Sequence, residues 1–304
     1  VKVVITGITA TLGRMLAERL LTKGHQVLGI DRRPWPGAPQ GVQMFKADIR
    51  KRPAENVLRM HRPDALIHMA TVTHFTTRFE ERYKINLIGT RKILEECAEH
   101  EVGQVIFIGR HTVYGASADS ALYHTEDDPP LAGATFPELA DMSAADFYAS
   151  SALWRWPQID TAVLRLVYTL GPSRRGTLAN FLGGGGRVAT VLGFDPLFHL
   201  MHERDAAEAI IMALESKLRG VFNVAGPDPV PLSLLCKVTG VHAVALPEPI
   251  YPFMLGHFGF PKLPIGIVNH VKYPIVVDDT AFKTATGFEP SCDAIQTMEA
   301  FRWL

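Results

Sequence analysis

The stretch Val1-Lys2-Val3-Val4-Ile5-Thr6-Gly7-Ile8-Thr9-Ala10-Thr11-Leu12-Gly13 decides how this chain folds. Val1, Val3, Val4 and Ile5 form an almost unbroken run of strand-forming residues, as a parallel strand buried on both faces requires. Beyond Gly13, Met15, Leu16, Leu20 and Leu21 recur near helical spacing, and Lys23 and Gly24 close the helix. The turn between them, Gly7, Thr9, Ala10, Thr11, Leu12 and Gly13, is therefore a strand-to-helix junction. Gly7 permits the tight turn, Gly13 lets helix and strand pack closely, and the open N–H groups of the helix start face a pyrophosphate. Ala10 stands where such turns usually carry their middle glycine, so the backbone approaches the phosphates less closely.

Working outward, strand and helix alternate. Strands are expected at His25 to Ile30, Val42 to Phe45, Ala65 to His68 and Gln104 to Ile108, with helices near 54 to 60 and from Phe79 to His100. This alternation predicts an α/β fold with a doubly wound parallel sheet of the Rossmann type. Pro129, Pro130 and Pro137 punctuate a polar stretch from Gly115 to near Ala144, where another helix begins and leads to a strand at Thr161 to Val167. Gly183 to Gly186 are four glycines in a row, a loop or hinge because each costs a helix about 1 kcal/mol relative to alanine. A helix at Arg204 to Glu215, a strand at Val221 to Ala225, a helix after Pro231 and a last helix near Ala294 to Trp303 follow. The expected division is a dinucleotide-binding domain over residues 1–170, with a return at about 204–226, and a smaller substrate-side domain in 171–304.

Composition narrows the function. Thirty-one basic residues balance thirty-one acidic ones, so no global field or basic run favours nucleic acid. No apolar run approaches membrane-spanning length, the first residues are already strand rather than signal peptide, and Cys97, Cys236 and Cys292 are widely spaced and odd in number. A cytoplasmic protein acting on a small molecule is the expectation. His199 and His202, and His68 and His74, lack a third ligand nearby, and no metal site is expected.

Asp31 ends the second strand, where a carboxylate accepts hydrogen bonds from an adenosine ribose, which favours NAD. Arg32 and Arg33 behind it leave NADP open, since a guanidinium there can hold a 2′-phosphate. Asp48 and Ile49, past the third strand, are placed to bracket the adenine, with helix capping as the plain alternative for Asp48. Met69 and Ala70, past the fourth, are placed to line the cofactor's path.

In order and spacing, TGITATLG at 6–13, Asp31, ADI at 47–49, HMA at 68–70, NLIGT at 86–90, VYG at 113–115, LRLVYTLGP at 164–172, HERDAAEA at 202–209, GVFNVAG at 220–226 and GFEP at 287–290 resemble the NAD-dependent epimerase/dehydratase family of extended short-chain dehydrogenases/reductases. The resemblance implies a nicotinamide cofactor, a nucleotide-sugar or other hydroxyl or ketone substrate, and a homodimer built through the helices at about 79–100 and 144–156. It assigns Asn86 to structuring the sheet and active site, and Arg165 with Asp205 and the Gly171–Pro172 turn to the substrate side.

The same resemblance implies a catalytic tyrosine, a lysine four residues later and a serine or threonine. A tyrosine of ordinary pKa about 10 needs a nearby ammonium to act as a base near neutrality. None of the seven tyrosines has a lysine four residues on; Tyr148, the matching residue by motif, is followed by Ala152. Arg110 stands where the serine or threonine belongs, with His111 and Thr112 next to it. Three readings stay open: Tyr148 as acid/base with Arg110 or His111 as substitute cation; His111 or Asp146 as acid/base; or a non-catalytic cofactor-sensing or scaffold protein. Residues 250–267, IYPFMLGHFGFPKLPIGI, read as core of the smaller domain or as an apolar pocket, membrane contact or oligomer face.

Overall fold

A computed structural model describes residues 1–75, 77–183 and 187–302. The strands are β1 (Lys2–Thr6), β2 (Gln26–Asp31), β3 (Val42–Lys46), β4 (Ala65–His68), β5 (Gln104–Arg110), β6 (Asp160–Leu166), β7 (Tyr168–Leu170), β8 (Arg187–Val191), β9 (Leu197–Phe198), β10 (Leu200–His202), β11 (Gly220–Val224), β12 (Val230–Pro231) and β13 (His242–Leu246). The helices are α1 (Thr11–Thr22), α2 (Arg52–His61), α3 (Phe79–Tyr83), α4 (Thr90–Glu99), α5 (Ala132–Thr135), α6 (Ala140–Arg155), α7 (Thr177–Gly183), α8 (Glu203–Glu215), α9 (Leu232–Thr239), α10 (Tyr251–Met254), α11 (Ile267–His270), α12 (Thr280–Thr286) and α13 (Ala294–Arg302).

One large sheet runs in the order β11-β6-β5-β4-β1-β2-β3 with every pair parallel. The chain winds outward from β1 to β3, then returns to lay β4 against the other edge of β1. That reversal places a crevice at the carboxyl ends of β1 and β4. Alternate residues of each strand feed opposite cores: Val3 and Ile5 pack with Leu16 and Leu20 of α1 and Ile210 of α8, whereas Val4 packs with Val57 of α2 and Ile93 of α4. This two-sided burial explains why β1 reads as a continuous apolar run. The fold is the doubly wound α/β sheet that the opening stretch predicts.

Immediately after β6 the chain leaves the large sheet, and β7 pairs with β10. A further core gathers there from Phe181, Val188, Leu235, Tyr251, Phe260 and Phe301. Within residues 250–267, Tyr251 and Phe260 are buried in that core while Phe253, Phe258 and Ile265 face outward.

Two elements depart from the expected boundaries. The helix expected from Phe79 to His100 is interrupted by a π-helical turn, Lys84–Gly89, between α3 and α4. A side chain at Gly89 would meet Ile49 Cδ1 at 2.7 Å, and the widened turn carries the buried Asn86 toward Val72. α6 starts at Ala140 rather than near Ala144, because Pro137 to Leu139 form a 3-10 turn that leads straight into it. Of the glycine run, residues 184–186 lie outside the described residues, as does Trp303. Among the described residues no helix is long and apolar enough to cross a membrane.

Candidate functional site

The junction after β1 is built around Gly7. Its φ is +74°, and a Cβ there would stand 2.9 Å from the Cα and N of Ala70 and from the carbonyl carbon of Met69. The loops after β1 and β4 therefore touch backbone to backbone, which only glycine allows. A Cβ at Gly13 already lies 2.8 Å from the Ile8 carbonyl oxygen in ideal geometry, so α1 packs directly on the turn. Ala10 sits extended at the N-cap and offers no side-chain cap, leaving the first-turn N–H groups of α1, at Thr11, Leu12 and Gly13, without a side-chain acceptor at the cap. Asp31, nearly buried at the end of β2, accepts from the Thr9 N–H (3.1 Å) and hydroxyl (2.6 Å) on Oδ2 and from the Arg33 N–H (2.9 Å) on Oδ1. Each oxygen has two acceptor sites, so Oδ1 keeps capacity for another donor. The Arg33 side chain pairs loosely with Asp31 at 3.6 Å, and Arg32 reaches Glu81 at 4.0 Å.

Asp48, past β3, is paired within its own loop. Its carboxylate is gripped by Arg50, Nε to Oδ1 at 2.9 Å and Nη2 to Oδ2 at 2.7 Å. That fork holds the Asp48 pKa below the usual carboxylate range. Ile49 is buried against α2 and Gly89. On the β4 side, Thr6 Oγ1 accepts from the N–H groups of Met69 (3.2 Å) and Ala70 (3.3 Å), so its own proton points to His68 Nδ1 at 2.6 Å. His68 Nε2–H then donates to Thr90 Oγ1 at 2.9 Å. Fully buried, His68 is pushed down to about 3 and stays neutral. It staples β1, β4 and α4. Asn86 accepts from the Val72 N–H (2.7 Å) and donates to the Val72 carbonyl (2.9 Å) and to Asp141 Oδ2 (2.7 Å), which fixes the loop after β4 to the start of α6.

Two adjoining cavities open at the ends of β4 and β5, and Arg110 and Met142 line both. Thr71, Asn86, Ala145 and Asp146 line the first; Thr73, Thr112, Tyr168, Thr177 and His270 are among the walls of the second. The Arg110 guanidinium donates to Thr177 Oγ1 at 2.9 Å and makes no ion pair among the described residues. Thr112 is thus in the cavity wall. The remaining candidates from the sequence lie otherwise. Tyr148 points away: its hydroxyl donates to Glu95 on α4 at 3.1 Å and Arg155 covers its ring. At about 100° per residue, its position on α6 is turned away around the helix axis from Met142, Ala145 and Asp146, which line the cavity with Arg110. Asp146 is held by Arg165, Nη2 to Oδ1 at 2.8 Å and Nε to both oxygens, so its carboxylate is already committed. His111 donates Nδ1–H to the Leu166 carbonyl at 3.2 Å and packs edge-on to Tyr168. Burial lowers its pKa well below the ordinary value, so it cannot serve as a cation.

Sequence reading overlooked Met142, Tyr168, Thr177 and His270. Tyr168 lies within the LRLVYTLGP segment, which was a usable signal, and Thr177 a few residues beyond it; Met142 and His270 carried none. Away from these cavities, Glu55, Glu96 and His100 cluster between α2 and α4, with Lys92 Nζ between the two carboxylates as the balancing cation.

The comparisons agree with this geometry. The profile of the NAD dependent epimerase/dehydratase family matches residues 3–225. An uncharacterized protein of Mycobacterium tuberculosis is 24% identical, over 98% of this chain and 82% of its own length. A 2-alkyl-3-oxoalkanoate reductase of Stenotrophomonas maltophilia is 26% identical over 43% of this chain and 42% of its own. Among solved structures, the Thermotoga maritima UDP-glucose 4-epimerase with UDP-glucose superposes with a TM-score of 0.79 at 19% identity, covering 99% of this chain and 97% of that one. The Thermus thermophilus UDP-glucose 4-epimerase with NAD gives 0.77 at 20% identity with the same coverage. With the glycine turn, the acidic end of β2 and the switch-point crevice all in place, this chain belongs to the NAD-dependent epimerase/dehydratase family.

Proposed function

We propose that this protein is an NAD-binding oxidoreductase of epimerase/dehydratase type whose chemistry departs from the family pattern. The observation that carries the cofactor reading is the Gly7 to Asp31 arrangement. A backbone cradle that a Cβ would fill, an uncapped helix start and a nearly buried carboxylate with an open acceptor site suit a pyrophosphate and a ribose hydroxyl. When bound, the nicotinamide supplies a hydride acceptor. In this reading Asp31 orients the adenosine ribose, Thr9 holds Asp31, and Met69 and Ala70 line the route to the cavities. NAD is favoured over NADP because a 2′-phosphate would face Asp31, although Arg32 and Arg33 lie close behind. Calorimetric titration tests this: NAD binds more tightly than NADP, and Asp31→Ala weakens NAD about tenfold or more, the value of a charged hydrogen bond. Tighter NADP binding that collapses in Arg32→Ala overturns it.

The departure rests on α6. Its Met142, with Leu139 just ahead of the helix, faces the cavity, and Tyr148 lies outside. Polar groups for substrate come instead from Arg110, Thr112, Tyr168 and Thr177. The same observation favours a second reading, a cofactor-sensing or scaffold protein. Formation of reduced nicotinamide by the NAD-loaded protein on addition of UDP- or dTDP-sugars, or of simpler hydroxyl compounds, excludes that second reading.

We further propose a homodimer through α3, α4 and α6. Phe147 is 69% exposed and Trp154 77% exposed, and Phe79, Tyr83 and Ile88 are exposed on the adjoining helices. Sedimentation equilibrium is expected to give a dimer that Trp154→Glu dissociates. The three free cysteines, two of them buried, suit the reducing cytoplasm.

A further inference from the structure

Among the described residues Arg110 has no counter-ion. It ends β5 and is placed between two cavities, and of its five N–H donors the structure occupies one, on Thr177. The neighbouring carboxylate, Asp146, is paired with Arg165 and makes no hydrogen bond or ion pair to Arg110. The guanidinium is only partly exposed and faces walls such as Phe75, Phe136, Leu139 and Ile267, where an anion would meet a charged fork with little competing water. A second group in the same wall is also short of a partner: His270 is 6% exposed and its Nε2 makes no hydrogen bond.

From this pairing we infer that the cavities take a small organic acid, an apolar body carrying one carboxylate, with the carboxylate on Arg110 and the hydroxyls of Thr112 and Thr177 beside it. The planar guanidinium fork matches a carboxylate in two parallel hydrogen bonds. One arginine balances one negative charge, whereas a phosphate ester near neutral pH would leave charge uncompensated among apolar walls. The apolar body lies along Phe75, Phe136 and Met142, and its far polar group reaches His270 Nε2. The assignment rests on reading the crevice as the substrate site, but it does not require that the cofactor be NAD.

The test uses the full chain, with and without NAD, and hexanoate, hexanamide and hexyl phosphate as probes, followed by calorimetry and ligand-observed NMR. Hexanoate is expected to bind about tenfold or more tightly than hexanamide, as a charge-assisted pair does over a neutral one. Arg110→Gln removes that preference and Arg110→Lys restores part of it. Thr177→Val, which keeps the charge and the shape, weakens hexanoate more than hexanamide, and gives a reading even if Arg110→Gln does not fold. Equal binding of hexanoate and hexanamide, no binding of hexanoate at millimolar concentration, or tighter binding of hexyl phosphate each overturns the assignment. NAD titration is scored separately. A carboxylate preference without NAD binding refutes the cofactor reading alone, and NAD binding without the preference refutes this one alone.

Discussion

Replacing Gly7 with alanine tests whether the backbone contact between the loops after β1 and β4 builds the site. Two costs act at once. At φ +74° a Cβ adds about 1–2 kcal/mol of left-handed strain. The same Cβ, 2.9 Å from Ala70 and Met69 backbone atoms, forces the loops apart, at about 1–3 kcal/mol for an overpacked position. Alanine recovers about 0.4–1 kcal/mol by narrowing the unfolded ensemble. Gly37 supplies the control, since its φ is +75° with nothing within 4 Å of a built Cβ. Gly37→Ala therefore costs only the strain less the unfolded-state gain, about 0–1.5 kcal/mol. Gly7→Ala is expected to exceed it by about 1–3 kcal/mol in urea unfolding, and to weaken NAD about tenfold or more in calorimetry because the cradle opens. Equal shifts for the two variants, or unchanged NAD affinity in Gly7→Ala, would refute the reasoning.

Three further outcomes follow from the side chains. Burial holds His68 at about 3 and His199 and His270 at about 4, all neutral in the fold, while the unfolded chain protonates them below about 6.5. Stability from these groups is full above pH ~6.5 and is lost as pH falls toward their folded values, up to about 3 kcal/mol each at pH ~4. Urea midpoints measured across that range should fall steadily with acid, and His270→Asn should remove one proton's share of the slope; an unchanged slope contradicts the assignment. Tyr148→Phe, which removes only the hydrogen bond to Glu95, is expected to change stability by about 1 kcal/mol or less and to leave NAD affinity intact; a large loss of affinity would place Tyr148 back in the site. Asp146→Asn strands the buried Arg165 charge and should cost about 3–5 kcal/mol in denaturant unfolding, with a loss under 1 kcal/mol counting against a tight pair.

The glycine turn and the carboxylate that faces it were legible because they are local. Gly7, Thr9 and Gly13 lie within one strand-turn-helix unit, and Asp31 is at the end of the strand that pairs with β1 residue for residue. At Asp48 position alone did not announce the partner the structure gives it, Arg50 two residues later. The chemistry half depends on how α6 is rotated about its axis. That rotation is pinned by Asp141 on Asn86, 55 residues away, and by Asp146 on Arg165, 19 residues away. Motif spacing alone put Tyr148 at the centre, while those two anchors turn Met142 and Ala145 inward and Tyr148 toward α4.

By itself, then, the sequence determined the doubly wound sheet, the glycine turn and the acidic end of β2. Each of these follows from periodicity and from backbone conformations available to few residues. Only the tertiary structure decided which side chains share the cavities. Phe136, Met142, Tyr168, Thr177 and His270 come from separate segments, and their meeting depends on long-range packing that no local pattern encodes. That Arg110 has no ion pair among the described residues became visible in the same way, since only the packed neighbours show which charges meet.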